Sequence, residues 1–268
     1  MFIDYHMHTS LCKHASGTME AYVEAAIQRG LQEIAFTDHC PLPDDFDLAH
    51  RMHRDDLNTY VSEVQRLQKV YPEVDIKLGI EADFYDGFEH YLVDLFDQYP
   101  FDIILMSVHF IRHWPDDNWA FSYHFPGRSF KQIYSDYLQA VKRGIETGIF
   151  DVIAHLDLIK SPDEPLLNHN ADEVQTIMKR ANAKGMAIEI NTSGLHKHIE
   201  EVFPSLNMLP LIDETGIPIT LGSDAHKPDH VGYEFNYIDD VLQNYPNIQF
   251  ARFNNRKMQL LNLSEVKS

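Results

Sequence analysis

The sequence contains few cysteines, few basic residues and no long apolar run. Its two cysteines, Cys12 and Cys40, are too few for a disulfide scaffold, so we expect a reducing, cytoplasmic setting. Semi-buried thiols explain them better than metal ligands do, although each lies near a histidine. No apolar stretch reaches the roughly 18 residues that a membrane helix needs, and the first residues do not resemble a signal peptide. We therefore expect no membrane partner.

Lysine and arginine are scarce: the chain has 22 of them against 41 aspartates and glutamates, a formal net charge of −19. Duplex nucleic acid is bound through clustered basic side chains, so we expect no nucleic-acid partner. An acidic protein can still bind an anionic substrate when divalent cations invert the field inside its site. The net charge therefore leaves a phosphate ester open as a substrate.

Several catalytic motifs are missing as well. The chain has no Gly-x-Ser-x-Gly elbow, no Walker phosphate loop and no paired glycines of a dinucleotide site. It also has no repeat, no low-complexity tract and no linker rich in proline, glycine and serine. The length of 268 residues and the 44% hydrophobic content suit one large α/β domain, so we expect residues 1–268 to form a single domain.

Short apolar runs alternate with helical patterns along the chain. The predicted strands cover residues 2–5, 33–37, 76–80, 102–107, 152–154, 187–190 and 218–221. The predicted helices cover residues 19–28, 55–70, 88–96, 130–146, 171–183, 206–214 and 237–244, and a C-terminal tail follows. Gly30, Gly148, Gly185 and Gly216 each come just after a helical run, as C-terminal caps do. This alternation predicts a parallel sheet with helical crossovers.

Residue types that bind metals recur where the predicted strands end. His6 and His8 are two residues apart, so a strand points both side chains to one face, where they can bind one ion together. Further candidates close later strands: His14, Asp38, His39, Glu81, His109, His155, Glu189, Asp224 and His226. In a closed parallel barrel the active site lies at the carboxyl ends of the strands. The sequence therefore predicts a metalloenzyme.

The ordered set of these residues resembles the polymerase and histidinol phosphatase (PHP) superfamily. The resemblance extends over nearly the whole chain and rests on His6-x-His8 with His14, Asp38-His39, Glu81, His109, His155 and Asp224-x-His226. It implies a distorted (β/α)7 TIM-like barrel that holds three divalent ions. Mixed imidazole and carboxylate ligands suit Zn²⁺, Mn²⁺ or Fe²⁺.

The resemblance also implies which residues bind each ion. The first ion would be held by His6, His8, Glu81 and Asp224, the second by Glu81, His109 and His155, and the third by His14, His39 and His226. Glu81 would bridge two ions about 3.5–4 Å apart, the spacing of two-metal hydrolases. Asp4 and Asp38 flank ligands, and we expect them to orient imidazoles or helix ends.

The activity that the resemblance implies is hydrolysis of a phosphomonoester by a metal-bridging hydroxide. Asp224 or His226 would help the leaving alkoxide to gain a proton. Residues 79–84, 107–110, 155–160, 189–195 and 203–205 resemble the histidinol-phosphatase branch, which acts on L-histidinol phosphate in histidine biosynthesis. The alternative is a phosphoesterase for another small ester or a nucleotide. A binding module without turnover is disfavoured because the ligand set is complete.

Contacts to the substrate are less strongly indicated. After Gly194 and Leu195 the branch often carries arginine, whereas this chain has His196 and Lys197. We therefore expect the phosphate contact from Lys197 or His196, with Lys160 as the other candidate cation. The oligomeric state is not indicated by the sequence.

Residues 111–130 contain both tryptophans and form a long loop after the fourth predicted strand. Such a loop at the catalytic rim predicts a lid or a substrate wall. Trp114 or Trp119 would stack on the imidazole of histidinol phosphate, and Asp116 or Asp117 would pair with its ammonium group. A surface loop held in place by buried tryptophan is an equal alternative. The histidines without a motif are expected to be solvated or hydrogen-bonded residues and not metal ligands, namely His50, His53, His90, His169 and His230.

Overall fold

Strands and helices alternate throughout the computed structural model, which describes residues 3–111, 119–120, 127–161 and 163–262. In chain order they are β1 (Ile3–Asp4), α1 (Met19–Gln28), β2 (Glu33–Phe36), α2 (Leu57–Val70), β3 (Asp75–Asp83), α3 (Glu89–Phe96), β4 (Ile103–Ser107), α4 (Phe130–Thr147), β5 (Val152–Ile153), α5 (Leu167–Ala183), β6 (Ala187–Asn191), α6 (Leu209–Thr215), β7 (Ile219–Gly222), α7 (Phe235–Leu242), β8 (Gln249–Asn254) and β9 (Lys257–Asn262). The predicted alternation is confirmed. None of the described helices is both long and apolar enough to span a bilayer.

Strands β1 to β8 pair in parallel, each with its neighbour along the chain. The first strand also lies beside the seventh, because Tyr5 N donates to Leu221 O at 2.9 Å and Met7 pairs in parallel with Ala225. The parallel run therefore closes on itself as a distorted (β/α)7 TIM-like barrel. Strands β1 and β5 contain two residues each, which is part of the distortion.

Helix ends follow local capping chemistry. The Ser129 side chain accepts from Gln132 N while the Gln132 side chain accepts from Ser129 N, and this reciprocal pair starts α4. The same helix ends at Gly148, whose φ of 67° lies in the left-handed region that glycine adopts without strain. Gly216 ends α6 in the same way, as predicted.

The predicted C-terminal tail is wrong, because residues 249–262 form the antiparallel hairpin of β8 and β9. Asn255 and Arg256 make its turn, with φ of 49° and 61°. Such a turn favours asparagine at the first position, and Asn255 was the local signal that could have indicated a hairpin. Ala251 and Phe253 of this hairpin pack inside the amino end of the barrel.

The core has two layers, one inside the barrel and one between the barrel and its helices. Strand β3 shows how they are separated: Ile76, Leu78, Ile80 and Ala82 all pack in the outer layer. The intervening residues face inwards, because side chains alternate along a strand. Glu81 is one of them, so its carboxylate enters the barrel near the carboxyl end of the strand.

Candidate metal centre

The carboxyl ends of the strands surround a cavity of about 720 Å³. Seven of the nine predicted ligands line it, namely His14, His39, Glu81, His109, His155, Asp224 and His226. The other two, His6 and His8, are fully buried against them. The fold thus gathers all nine predicted ligands in one place.

Glu81 is at the centre of this group. Its Oε1 lies 2.9 Å from His155 Nε2 and 3.6 Å from His109 Nε2. Its Oε2 lies 2.8 Å from His39 Nδ1, 3.4 Å from His6 Nε2 and 3.7 Å from His8 Nε2. The two carboxylate oxygens therefore face different sets of imidazoles, which is the arrangement that a bridging ligand requires.

Asp224 completes the first group of predicted ligands. Its Oδ1 lies 3.1 Å from His8 Nε2 and 3.8 Å from His6 Nε2, and these two imidazole nitrogens are 3.1 Å apart. The φ of Asp224 is 50°, a left-handed conformation that aspartate adopts more readily than most residues. The short turn after β7 thereby brings the carboxylate back over the barrel.

The third group of predicted ligands lies at the mouth of the cavity. His14 Nε2 and His226 Nε2 are 2.8 Å apart, and the ligand atoms of His14, His39 and His226 all lie within 4.8 Å of one another. The ligand atoms of His6, His8 and Glu81 form a similar group. His39 also belongs to a group with Glu81 and His109, so it lies between the second and third clusters.

The donor atoms of this cluster fit divalent cations. Glu81 Oε2 and His39 Nδ1 are buried and lie 2.8 Å apart, but without the geometry of a hydrogen bond, and neither has another hydrogen-bond partner among the described residues. Buried polar atoms without a partner are rare in proteins, because removing them from water costs free energy that no hydrogen bond then offsets. Imidazole nitrogens that face each other across about 3 Å, beside a carboxylate oxygen, are a donor set for a borderline metal ion.

Several charges in the site are shifted by their surroundings. Burial raises the pKa of Glu81, but His39 and His6 outweigh it and hold that pKa well below its usual range. Burial has the same effect on Asp224, where Lys197 and His6 lower the pKa well below the usual value. Burial, helped by His8, lowers the pKa of His226 to about 3. The carboxylates are therefore ionised and His226 is neutral at pH 7, the forms that bind metals.

Two further residues support a ligand and were not predicted. Asp83 Oδ1 accepts from His109 N at 2.7 Å and lies 3.1 Å from His109 Nδ1. Arg51, which is fully buried, pairs with Asp83 and with Asp47. Asp83 is two residues beyond Glu81, so strand alternation was the signal that could have identified it. Arg51 comes from a distant loop, and no local pattern marked it.

The two aspartates expected to orient ligands do so differently. Asp38 Oδ1 accepts from His39 N at 2.8 Å and lies 3.5 Å from His8 Nδ1. Asp4 accepts from Ser223 N at 2.9 Å and from Gly232 N at 2.8 Å. It therefore holds the loops that follow β7.

Comparison with known proteins agrees with this architecture. A family model described as the PHP domain matches residues 4–193 of the chain. The chain belongs to the PHP domain family.

Curated relatives of this PHP domain include two bacterial proteins that match over most of their length. The probable histidinol-phosphatase of Deinococcus radiodurans is 35% identical over 264 residues, which are 96% of this chain and 98% of that protein. The histidinol-phosphatase of Bacillus subtilis is 29% identical over 262 residues, with 87% and 96% covered.

Two solved structures share the fold of this PHP domain. The histidinol phosphate phosphatase of Lactococcus lactis, complexed with zinc, L-histidinol and phosphate, has a TM-score of 0.81 at 23% identity, covering 96% of this chain and 98% of its own. The putative histidinol phosphatase of Listeria monocytogenes has a TM-score of 0.78 at 24% identity, covering 88% and 99%. The distorted TIM-like barrel is therefore shared with both.

Some of the predicted substrate contacts line the cavity, some lie outside the described residues, and Lys160 lies elsewhere. Lys197 and His196 line the cavity of the PHP domain, and Lys197 Nζ lies 3.4 Å from Asp224 Oδ2. Trp114, Asp116 and Asp117 lie outside the described residues. Trp119 is described and lines the cavity, with its ring centroid 5.3 Å from that of His50.

Lys160 is the third case and requires a correction. Its ammonium group is buried, where it bonds to Ser205 Oγ at 2.9 Å, to Glu201 Oε2 at 3.0 Å and to the Val202 carbonyl. It also lies 4.6 Å from the centroid of the Phe203 ring. Among the described residues that line the cavity, Lys160 is absent. It anchors the loop after β6 and has no access to a phosphate group there.

The rim of the cavity contains further residues that the sequence did not single out. His50 and His230 line it together with Lys227, although neither histidine belongs to a motif. The rings of His230 and His196 are 3.9 Å apart between centroids. His50 and His230 were expected not to be ligands, and no pattern in the sequence indicated that they line the cavity. Their position depends on contacts between distant loops.

Proposed function

We propose that this chain is a metal-dependent phosphomonoesterase that hydrolyses L-histidinol phosphate to L-histidinol and phosphate. The observation that carries the proposal is the position of Glu81, whose two oxygens face separate groups of imidazoles beneath a cavity with lysines at its rim. The relatives that match over nearly their full length are named histidinol-phosphatases, which supports this substrate.

The proposed metal ligands are those implied by the family pattern. We assign His6, His8, Glu81 and Asp224 to a first divalent ion, Glu81, His109 and His155 to a second, and His14, His39 and His226 to a third. Zn²⁺, Mn²⁺ and Fe²⁺ all suit these donors, and zinc is bound in the Lactococcus lactis enzyme. When bound, such ions lower the pKa of water and neutralise phosphoryl charge.

The residues of the chain then have separate tasks. Lys197 lies beside Asp224 at the cavity wall, so its ammonium group, with His196, would hold the phosphate of the substrate. Asp224 Oδ1 is 3.4 Å from His226 Nδ1. The pKa of both groups is lowered, so at pH 7 Asp224 is ionised and His226 is neutral, and neither carries an acidic proton. We therefore assign them the task of orienting a water molecule, which protonates the leaving alkoxide. The aromatic ring of Trp119 would form a wall for the leaving group.

A second candidate is hydrolysis of another small phosphate ester or of a nucleotide. Relatives from two Shewanella species are named only as probable phosphatases, at 26% and 25% identity. The net charge of −19 disfavours nucleic acid as the substrate. The same charge and two free cysteines are consistent with action on a small molecule in the cytoplasm.

The test is a substrate panel on purified, metal-reconstituted enzyme, with released phosphate as the readout. We expect kcat/KM for L-histidinol phosphate to exceed that for p-nitrophenyl phosphate, glycerol phosphate and nucleoside monophosphates by on the order of 10²-fold or more. A value no higher than those of the generic esters would favour the second candidate. An enzyme that is fully active after exhaustive chelation would contradict both.

A further inference from the structure

Glu189 lies in the middle of β6 and belongs to none of the proposed ligand sets. Its side chain is almost completely buried inside the barrel. Oε1 lies 2.6 Å from His6 Nδ1. Oε2 accepts from His155 N at 2.9 Å and from Asn191 Nδ2 at 3.1 Å. Within the described residues it does not line the cavity, so it contacts the ligands from behind.

These contacts determine which nitrogen of His6 carries the proton. Both partners of Oε2 are N–H donors, and Oε1 is left to accept from His6 Nδ1. An imidazole that donates through Nδ1 presents an unprotonated Nε2 on its other side. That Nε2 faces His8 Nε2 at 3.1 Å and Glu81 Oε2 at 3.4 Å, where the first ion is proposed.

The same carboxylate supports a second ligand through its backbone. His155 has a φ of 26°, a conformation that residues other than glycine adopt rarely and at a cost in free energy. Its backbone N–H donates to Glu189 Oε2, which holds the turn after β5 in this conformation. Glu189 therefore connects a ligand of the first ion just after β1 with a ligand of the second ion after β5.

Gly222 on β7 closes the space around this carboxylate. A Cβ added there would overlap Glu189 Oε1 and would lie 2.6 Å from His6 Cβ. The φ of Gly222 is not in the left-handed region, so the close approach, and not the backbone conformation, is what requires glycine. Gly222 therefore leaves the space that the Glu189 carboxylate occupies beside His6.

We propose that Glu189 is a positioning residue that fixes the His6 tautomer and the His155 backbone, and thereby sets the affinity of the first ion. The inference rests on the metal centre proposed above. Carboxylates that hold the far nitrogen of a ligating histidine contribute about 10–100-fold to metal affinity.

The experiment measures metal affinity of the full chain by competition with a chromophoric chelator, using Zn²⁺ and Co²⁺. Glu189→Gln keeps the shape but places an amide N–H against one of the donors. We expect this variant to bind one of its ions about 10–100-fold less tightly than the wild type. We also expect changed visible absorption of the Co²⁺ form, which loosened packing alone would not produce.

Glu33→Gln is the matched control, because Glu33 is a buried carboxylate at the other end of the barrel. We expect it to leave metal affinity unchanged. If Glu189→Gln does not fold, Glu189→Asp tests the same contact, since the shorter side chain keeps the charge but cannot reach both partners. Wild-type affinity and absorption in the folded variants would overturn the role of Glu189 alone. A wild-type chain that binds no ion would overturn the proposed metal centre itself.

Discussion

The two ends of the barrel both contain buried carboxylates, but the partners of these carboxylates differ. At the amino end, Glu33 accepts from the Tyr5 hydroxyl and from Arg252. Asp151 there accepts from Arg256 at 3.0 Å and from the Ile104 backbone. At the carboxyl end, the nearest neighbours of Glu81 are imidazoles, and its Oε2 has no hydrogen-bond partner among the described residues.

This difference separates stability from chemistry within one fold. Guanidinium groups are charged at every physiological pH, so the amino-end carboxylates are neutralised by the chain itself. At the carboxyl end, the lone pairs of neighbouring imidazole nitrogens repel one another unless a cation lies between them. The charges of this cluster are therefore balanced only when ions are bound. Barrel enzymes place catalysis at the carboxyl ends of their strands, and the partners seen here give the physical reason in this chain.

The largest effect is expected from Glu81→Gln, which removes the charge of the bridging carboxylate. We expect kcat/KM to fall by on the order of 10³-fold or more, because no other described carboxylate faces both groups of imidazoles. The far-UV circular dichroism and the unfolding midpoint of the metal-free protein should change little. Metal content, steady-state kinetics and thermal unfolding of the same preparation check this. An active Glu81→Gln enzyme would remove the basis for assigning chemistry to this end.

The next effect concerns the amino end, where Arg252→Met leaves the buried Glu33 without its guanidinium partner. We expect the free energy of unfolding to fall by about 2 kcal/mol while kcat and metal content stay unchanged. Arg66→Met is the matched control, because Arg66 makes an exposed ion pair with Glu63 and its loss should change the free energy of unfolding far less. Urea denaturation measures both. A loss of activity larger than the loss of folded protein would mean that the two ends are coupled.

A smaller effect is expected from Lys197→Met at the cavity wall. Removing the ammonium group should raise KM for L-histidinol phosphate about tenfold and change kcat less, because a phosphate contact of this kind acts mainly in binding. Lys184→Met is the control, since Lys184 is an exposed lysine that pairs with Glu146. Separate determination of kcat and KM for the three proteins checks the prediction. An unchanged KM would remove Lys197 from the substrate site.

The smallest effect is expected from Cys12→Ser, which should keep full metal content and change kcat/KM less than about twofold. Burial raises the pKa of Cys12 and of Cys40 to about 12, so almost no thiolate exists at pH 8. A thiol reagent should therefore label the native protein slowly at pH 8, and the rate should increase as the pH rises towards 12. In urea both cysteines should be labelled rapidly. Cys12 lies close to His8 and His226. Loss of an ion in Cys12→Ser would identify Cys12 as a metal ligand.

Local patterns were sufficient for most of the fold and for the ligand types. Alternation along β1 and the apolar runs of later strands placed the ligands at strand ends, because side-chain direction in a strand depends only on residue parity. The hairpin of β8 and β9 was missed, since its second strand is largely exposed and neither strand carries a regular hydrophobic alternation. Lys160 pairs with Asp157 three residues earlier, but nothing local indicates its other partners, Glu201 and Ser205, some 40 residues later.

The sequence by itself determined the order of strands and helices, the capping glycines and the kinds of metal-binding side chains, since these depend on neighbours within a few positions. Only the tertiary structure decided that Glu81 lies between two groups of imidazoles, that Glu189 supports His6 from 183 residues away, and that His50 and His230 line the cavity. Closure of the barrel joins the first strand to the seventh, and this brings together side chains whose proximity no local interaction specifies.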